Sequence, residues 1–375
     1  SYVLEASRDP GTGRRRQVWK GGFTTKREAQ QALREALTRV DHGTFVAQQR
    51  TTVGDYLDQW LETVRPNVRA TTYAGYERNV AKLKDGLGHV RLTELRPVMI
   101  ERLYAELTIS GGRGGKPLSS KSVANVHLCL GKALADAERL GMLATNPVRR
   151  VRPPRWQSPE MRVWSAEQTR AFLDASAVHR LHAAFVLLAT TGMRRGEVVG
   201  LRWDDVDLDG ARLQVRQSIT TAGNRIVIDA PKTRRSRRSV ALDDDTVAAL
   251  RRHRRGQAEE RLAAGELWHD EGLVFPNELG ALLHPDAVSR AFGAVVRRAR
   301  LPRIRLHDLR HGWASLALEA GIHPKVVSDR LGHSTVGITL DTYSHVVQGL
   351  DAEAATTVAR RLFARDAPSP SPRQE

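Results

Sequence analysis

The side chains best suited to chemistry lie between Arg305 and His345, in RLHDLRHGWASLALEAGIHPKVVSDRLGHSTVGITLDTYSH. Leu306, Leu309, Ala314, Leu316, Ala317 and Leu318 recur at helical spacing, which predicts a helix packed into a core. His307 and Arg310 stand three residues apart and share one face of it. A core helix carrying a charged fork beside an imidazole is costly to build without a ligand. The arginine fork matches phosphate oxygens bidentately and keeps its charge. An imidazole beside it can donate to the same anion or move a proton. His333, after Leu331-Gly332, and Tyr343, ten residues further on, add a second imidazole and a hydroxyl. The stretch reads as a phosphate-handling site with a tyrosine near it.

Two further groups lie upstream. Arg194 follows Thr191-Gly192-Met193, with Glu197 one turn later as a partner that holds an arginine. Lys232 sits in DAPKTRRSRR, on or beside a hairpin turn. Each has a plainer reading when taken alone: Arg194 as a surface salt bridge, Lys232 as a solvated basic turn, Tyr343 as a core residue. Arg234, Arg235, Arg237 and Arg238 read as solvated or as contacts to a polyanion backbone. Together, Arg194, Lys232, His307, Arg310, His333 and Tyr343, ordered over about 150 residues, are hard to explain as structure. A metal reading is weak. His307 and His311 have the i, i+4 spacing of a zinc helix, but Asp308 stands where a Glu base belongs and Arg310 would repel a cation. No metal and no cofactor is expected.

The elements that position these groups can be read in order. SYVLEAS and RRRQVWKGGF alternate as strands, with a turn at Asp9-Pro10-Gly11. Thr24 or Thr25 with Glu28 then caps a helix, so residues 1–48 form a small sheet-plus-helix unit. Residues 49–150 read as helical, the last helix stopping at Asn146-Pro147. The loop SGGRGGKPLS fails as a phosphate loop, because Ser110 replaces the first Gly and Pro117 the Ser or Thr after the Lys. Residues 151–162 are a Pro- and Arg-rich linker. In residues 163–365, Ser165 and Gln168 form a capping box, and LHAAFVLLATTG is a buried helix ending near Gly192. ARLQVRQSI, NRIVI and RRSVAL read as three strands, followed by helices over 243–265, 285–299, 306–320, 324–331 and about 338–347. LDAEAATTVARRLFAR carries an apolar stripe of Ala352, Ala355, Val358, Leu362 and Phe363. The tail 366–375 is polar and Pro-rich, with the composition of a disordered segment. The fold class expected is mainly α with small β-sheets (α+β).

A chain of 375 residues suggests two or three domains. Its formal charge is +17, and only nine of the 59 basic residues are Lys. Such an excess points to a polyanion, of which nucleic acid is the usual one. Arg14, Arg15, Arg16 and Lys20 on the first strands, Arg152 and Arg155 in the linker, and Arg234 and Arg235 beside Lys232 are candidate DNA contacts. The single Cys129 allows neither a disulfide framework nor a Cys-based zinc site. No apolar run approaches the ~20 residues that span a bilayer. SYVLEASRDP has no signal-peptide pattern and no initiator Met, and a cytoplasmic location is expected.

With these motifs assembled, the carboxyl-terminal half resembles the catalytic domain of the tyrosine recombinases, and more narrowly the integrases of phages and integrative elements. The resemblance rests on Thr191-Gly192-Met193-Arg194 with Glu197, Lys232-Thr233, the boxes HDLRH and LGHS, and Tyr343 in DTYSH. Residues 49–150 resemble the family's helical, SAM-like core-binding domain, and residues 1–48 its arm-binding domain.

The resemblance implies a site-specific recombinase that cuts and rejoins double-stranded DNA without metal or ATP, through a covalent 3′-phosphotyrosyl intermediate and a Holliday junction. Tyr343 would be the nucleophile, and Arg194 and Arg310 the clamp on the phosphate. His307 would bond a phosphate oxygen and stand ready for the tyrosine proton. His333 would donate another hydrogen bond, and Lys232 would act as acid to the leaving 5′ hydroxyl. The same resemblance implies a homo-tetramer on core and arm sites in a bacterial host, with room for a host bending protein or a directionality factor. A type IB topoisomerase would share the tyrosine chemistry, but the arm-like front favours recombination.

Overall fold

The computed structural model describes residues 1–6, 16–41, 50–156, 161–223, 225–229, 237–343 and 351–363. The chain divides into two compact units, Ser1–Ser158 and Pro159–Glu375. The boundary lies inside the stretch expected as linker.

In the first unit, β1 (Tyr2–Ala6) and β2 (Arg16–Lys20) pair antiparallel, Tyr2 opposite Lys20 and Ala6 opposite Arg16. The turn expected at Asp9-Pro10-Gly11 lies outside the described residues. Helix α1 (Lys26–Asp41) begins at a box in which Thr25 Oγ1 accepts from the Glu28 N–H at 3.2 Å. The Glu28 carboxylate accepts in return from the N–H groups of Thr24 at 3.0 Å and Thr25 at 3.3 Å.

Helices α2 (Val53–Val64), α3 (Ala70–Leu87), α4 (Pro97–Ser110) and α5 (Ser120–Arg139) enclose a separate apolar core. Two polar side chains tie α2 to α5: the Tyr56 hydroxyl donates to the Ala133 carbonyl at 2.6 Å, and the Trp60 indole to Asp136 at 3.0 Å. The last helix does not run to Asn146. Gly141 takes a left-handed φ of 71°, and the Met142 N–H closes back on the Ala137 carbonyl at 2.9 Å. This helix-ending motif stops α5 before the proline can.

The second unit opens with α6 (Ala166–Ala175), capped by the expected pairing of Ser165 and Gln168. Helix α7 (His182–Thr191) is apolar around its whole circumference, as a fully enclosed helix must be. It packs against α8 (Arg195–Val199), α9 (Asp244–Ala264) and α11 (Asp308–Glu319). The described residues of this unit also form two small antiparallel sheets. One has the order β3 (Val206–Asp207), β4 (Arg212–Val215), β7 (Arg238–Ala241). The other is the hairpin of β5 (Ser218–Ala222) and β6 (Arg225–Asp229).

Among the described residues the three strands expected here are therefore five. ARLQVRQSI breaks at Arg216-Gln217 and supplies β4 to one sheet and β5 to the other. Leu213, Val215 and Ile219 are all buried and share one alternation phase, so periodicity runs through the break without marking it. Helices α10 (Pro285–Arg298), α12 (Pro324–Leu331) and α13 (Val336–Thr342) follow, then a C-terminal helix Asp351–Phe363.

An aromatic cluster holds this core. The Phe172 ring lies 5.3 Å from Phe185, 4.9 Å from Phe292 and 5.3 Å from Trp164, and Phe172 is fully buried. Phe172→Ala is expected to destabilise the second unit by about 3–5 kcal/mol through lost burial and a residual cavity. Urea unfolding followed by tryptophan fluorescence measures it, and a loss under ~1 kcal/mol would show that the cluster collapses freely around the gap.

Candidate active site

The site is built where two helices end in left-handed glycines. Gly192 (φ 64°) closes α7 and Gly332 (φ 67°) closes α12. A Cβ on Gly192 would stand 2.7 Å from the Leu331 side chain and 3.1 Å from Trp313, so only glycine lets these two ends approach.

The exposed carbonyls at the end of α12 are taken by arginines from three different places. Arg238 Nε donates to the Arg330 carbonyl at 2.6 Å, Arg310 Nη2 to the Leu331 carbonyl at 2.8 Å, and Arg194 Nη2 to the Gly332 carbonyl at 3.1 Å. A helix C-terminus leaves such carbonyls unbonded and presents a partial negative charge, so it attracts cations. Arg310 also donates to the Gly192 carbonyl at 2.7 Å and is only 3% exposed.

Glu197 is the balancing anion. Its carboxylate accepts from Arg194 at 2.8 Å and from Arg238 at 2.9 Å, and it is 4% exposed. Burial pushes its pKa up, but Arg238 and Arg194 together hold it below the usual carboxylate range. Three guanidiniums against one carboxylate leave the cluster cationic. Burial, with Arg194 close by, pulls Arg310 below the ordinary arginine value. An anion bound there would relieve that cost.

The histidines and the tyrosine surround this cluster. His307 occupies the N-terminal end of α11, one side of it open to solvent and its ring packed 5.1 Å from the His311 ring at 88°. His333 Nδ1 pairs with the Thr339 hydroxyl at 2.8 Å, which fixes the ring. Crowding by packed atoms is the larger cause that pulls both imidazoles down to about 4, helped by His311 and Arg310 at His307 and by Arg310 and Arg194 at His333. Tyr343 ends α13 and is 0% exposed. Its ring packs with Ala314, Ala317, Leu318, Val327 and Leu331. Its hydroxyl lies 2.8 Å from His311 Nδ1, and burial pushes its pKa up to about 12 against the pull of Arg310.

A phage integrase family model matches residues 162–349, an arm DNA-binding domain model residues 1–40, and an N-terminal SAM-like domain model of phage integrases residues 52–108. The tyrosine recombinase XerC-like protein of Caldanaerobacter subterraneus subsp. tengcongensis is 31% identical over 356 residues, covering 89% of each chain. The chain belongs to the phage integrase family of tyrosine recombinases. The recombinase is thus a site-specific DNA strand transferase. Its fold is shared with the integrase of transposon Tn1549, solved with a circular intermediate DNA (TM-score 0.67, 21% identity, 83% of this chain and 99% of that one). It is shared also with the lambda integrase tetramer bound to a Holliday junction (TM-score 0.58, 19% identity, 89% and 90%).

Of the residues singled out by sequence, the recombinase brings Arg194, Glu197, His307, Arg310, His333 and Tyr343 into one site. Lys232, Arg234 and Arg235, like Arg14 and Arg15, lie outside the described residues. Arg16 lies in β2, and Lys20 ends that strand exposed. Arg152 and Arg155 are exposed in the first unit. Among the described residues no group of three or more His, Cys, Asp or Glu is arranged to hold a metal.

Two corrections follow. Arg238 is neither solvated nor free for a DNA backbone: its side chain is 7% exposed and bound to Glu197 and to α12. The run KTRRSRR offers no periodicity to separate it from its exposed neighbour Arg237. His311, weighed by spacing only as a metal partner of His307, instead contacts the tyrosine. Its place beside Arg310 in HDLRH was the available signal.

Removing Glu197 would leave two cations without a counterion. Glu197→Ala is expected to cost about 3–5 kcal/mol, and Arg238→Met in the same chain to recover part of it. A double-mutant cycle in urea reads the coupling, and additive losses would disprove it.

The pH dependence has a definite sign. His307 and His333 have folded-state pKa values near 4, below the unfolded value, so the unfolded chain binds more protons between pH 6.5 and 4. The second unit should lose stability as pH falls through that window, and the loss should shrink with a DNA duplex bound. Urea midpoints at pH 7, 5.5 and 4 test this, and a flat profile would contradict it.

Proposed function

We propose that the recombinase cuts a DNA strand by attack of Tyr343 on a phosphodiester held between Arg194 and Arg310, and integrates and excises a mobile element by two such exchanges. The observation that supports this reading is the gathering of two neutral imidazoles and a tyrosine around a cationic arginine pair anchored on one helix end. A phosphodiester resists attack because its free oxygens carry negative charge. Arg194 and Arg310 neutralise those oxygens and the charge that grows in the transition state. Their carbonyl and Glu197 anchors hold them in place before DNA arrives, so little reorganisation accompanies the reaction.

His307 and His333, neutral at pH 7, donate hydrogen bonds to the phosphate without adding charge that must later be shed. Lys232 is placed in this reading as the acid that protonates the leaving 5′ oxygen. The Oη–P bond replaces the P–O5′ bond, so the ester conserves bond energy for religation with no metal or nucleotide.

Arm and core modules on one chain give bivalent binding, whose gain is set by effective concentration. A host bending protein or a directionality factor would act by bringing arm and core sites within reach. Four protomers on a Holliday junction complete the reaction in the bacterial cytoplasm. The C-terminal helix supports the assembly: Val358, Leu362 and Phe363 are 56%, 71% and 80% exposed, and an apolar stripe on that scale calls for a partner. It packs in this proposal against a neighbouring protomer.

The test is a covalent trapping assay on duplex DNA spanning a core site, without metal or nucleotide. Wild type should give a denaturant-resistant adduct and Tyr343→Phe none. Arg310→Ala should slow adduct formation by ~10²–10³. An adduct from Tyr343→Phe would mean a different nucleophile. Deleting residues 350–375 should weaken tetramer formation and leave single-site binding intact, and unchanged recombination would remove that helix from the assembly.

A further inference from the structure

Attack by Tyr343 requires that its proton go somewhere, and the geometry selects an acceptor. The hydroxyl lies 2.8 Å from His311 Nδ1, within the reach that proton transfer demands. The two rings stand 5.9 Å apart, and the apolar packing around Tyr343 leaves its hydroxyl directed at the α11 face. His307 lies a turn away, at the exposed end of the same helix.

We propose that His311 is a further catalytic residue, which takes the proton of Tyr343 as the hydroxyl attacks phosphorus and returns it during religation. This rests on Tyr343 being the nucleophile. The Oη–H bond breaks toward Nδ1, the Oη–P bond forms, and the P–O5′ bond breaks, with O5′ taking a proton from the general acid or from water. His311 is half-buried. Its own helix faces it with Asp308, Arg310, Arg305 and His307, and α13 faces it with Tyr343. Asp308 is occupied by Arg305, which donates to it at 2.8 Å.

Burial comes first among the causes that hold His311 below the ordinary imidazole value, so it is neutral at pH 7 with a lone pair for the proton. His307 is then free to serve the phosphate alone.

The experiment measures single-turnover cleavage of a nicked core-site duplex carrying a 5′-bridging phosphorothioate, whose sulfur leaves without an acid. Wild type, His311→Asn, His311→Ala and Tyr343→Phe are compared from pH 6 to 10. Asparagine places an oxygen near the Nδ1 position, so it keeps a hydrogen-bond acceptor but cannot carry the proton away. His311→Asn should bind the duplex and melt like wild type yet cleave ~10²–10⁴ times more slowly at pH 7. Its rate should climb about tenfold per pH unit as hydroxide takes over, while wild type levels off above the imidazole pKa. His311→Ala should show the same profile.

Wild-type cleavage by His311→Asn at pH 7 would overturn the proposal in favour of a positioning role. A loss of equal size at every pH, in either variant, would overturn it too. Cleavage by Tyr343→Phe would overturn the underlying nucleophile assignment, a result distinct from either.

Discussion

Everything in the catalytic unit depends on one helix end. Carbonyls of three successive residues, Arg330, Leu331 and Gly332, each accept from a different guanidinium. Those carbonyls would otherwise be orphans of the last turn of α12. Arg238 and Arg310 would otherwise be buried cations, and Arg194 a half-exposed one, with one carboxylate among the three. Each problem resolves the other, and the result is a rigid cationic face poised for an anion. Gly192 and Gly332 make it possible, since a side chain at Gly192 would hold the two helix ends apart.

The nucleophile is treated in the opposite way. Tyr343 is enclosed by alanine, leucine and valine side chains and has a pKa near 12, so it carries its proton until the moment of use. A phenolate formed early in such surroundings would have little solvation. Arg310 lies close enough to oppose the effect of burial on this hydroxyl, which couples the two halves of the site electrostatically. A bound phosphate would withdraw part of that positive influence, so deprotonation and attack belong to one event.

Much of the architecture was legible in the chain. Capping boxes at Thr24 or Thr25, with Glu28, and at Ser165, with Gln168, marked helix starts, and the structure puts the first at Thr25. The enclosed helix α7 declared itself by apolarity on every side. The failures came where local pattern carried no information. The end of α5 was set by Gly141 and a backbone closure, not by the proline that followed. The break between β4 and β5 left the alternation in phase, so only the pairing partners revealed it.

The site divides along the same line. Residue types and short spacings determined what chemistry was available: an arginine and a histidine on one helix face, a buried helix ending near Gly192, and a tyrosine ten residues past His333. These follow from the helical repeat and from φ preferences, which act over a few residues. Tertiary structure alone decided who touches whom. Arg310 reaches a carbonyl 118 residues away, Arg194 one 138 residues away, and Tyr343 an imidazole 32 residues away. It brought Arg238 out of a basic run into the buried cluster, and it gave the tyrosine to His311 and not to His307. Such contacts are chosen by packing between elements distant in the chain, and no local period records them.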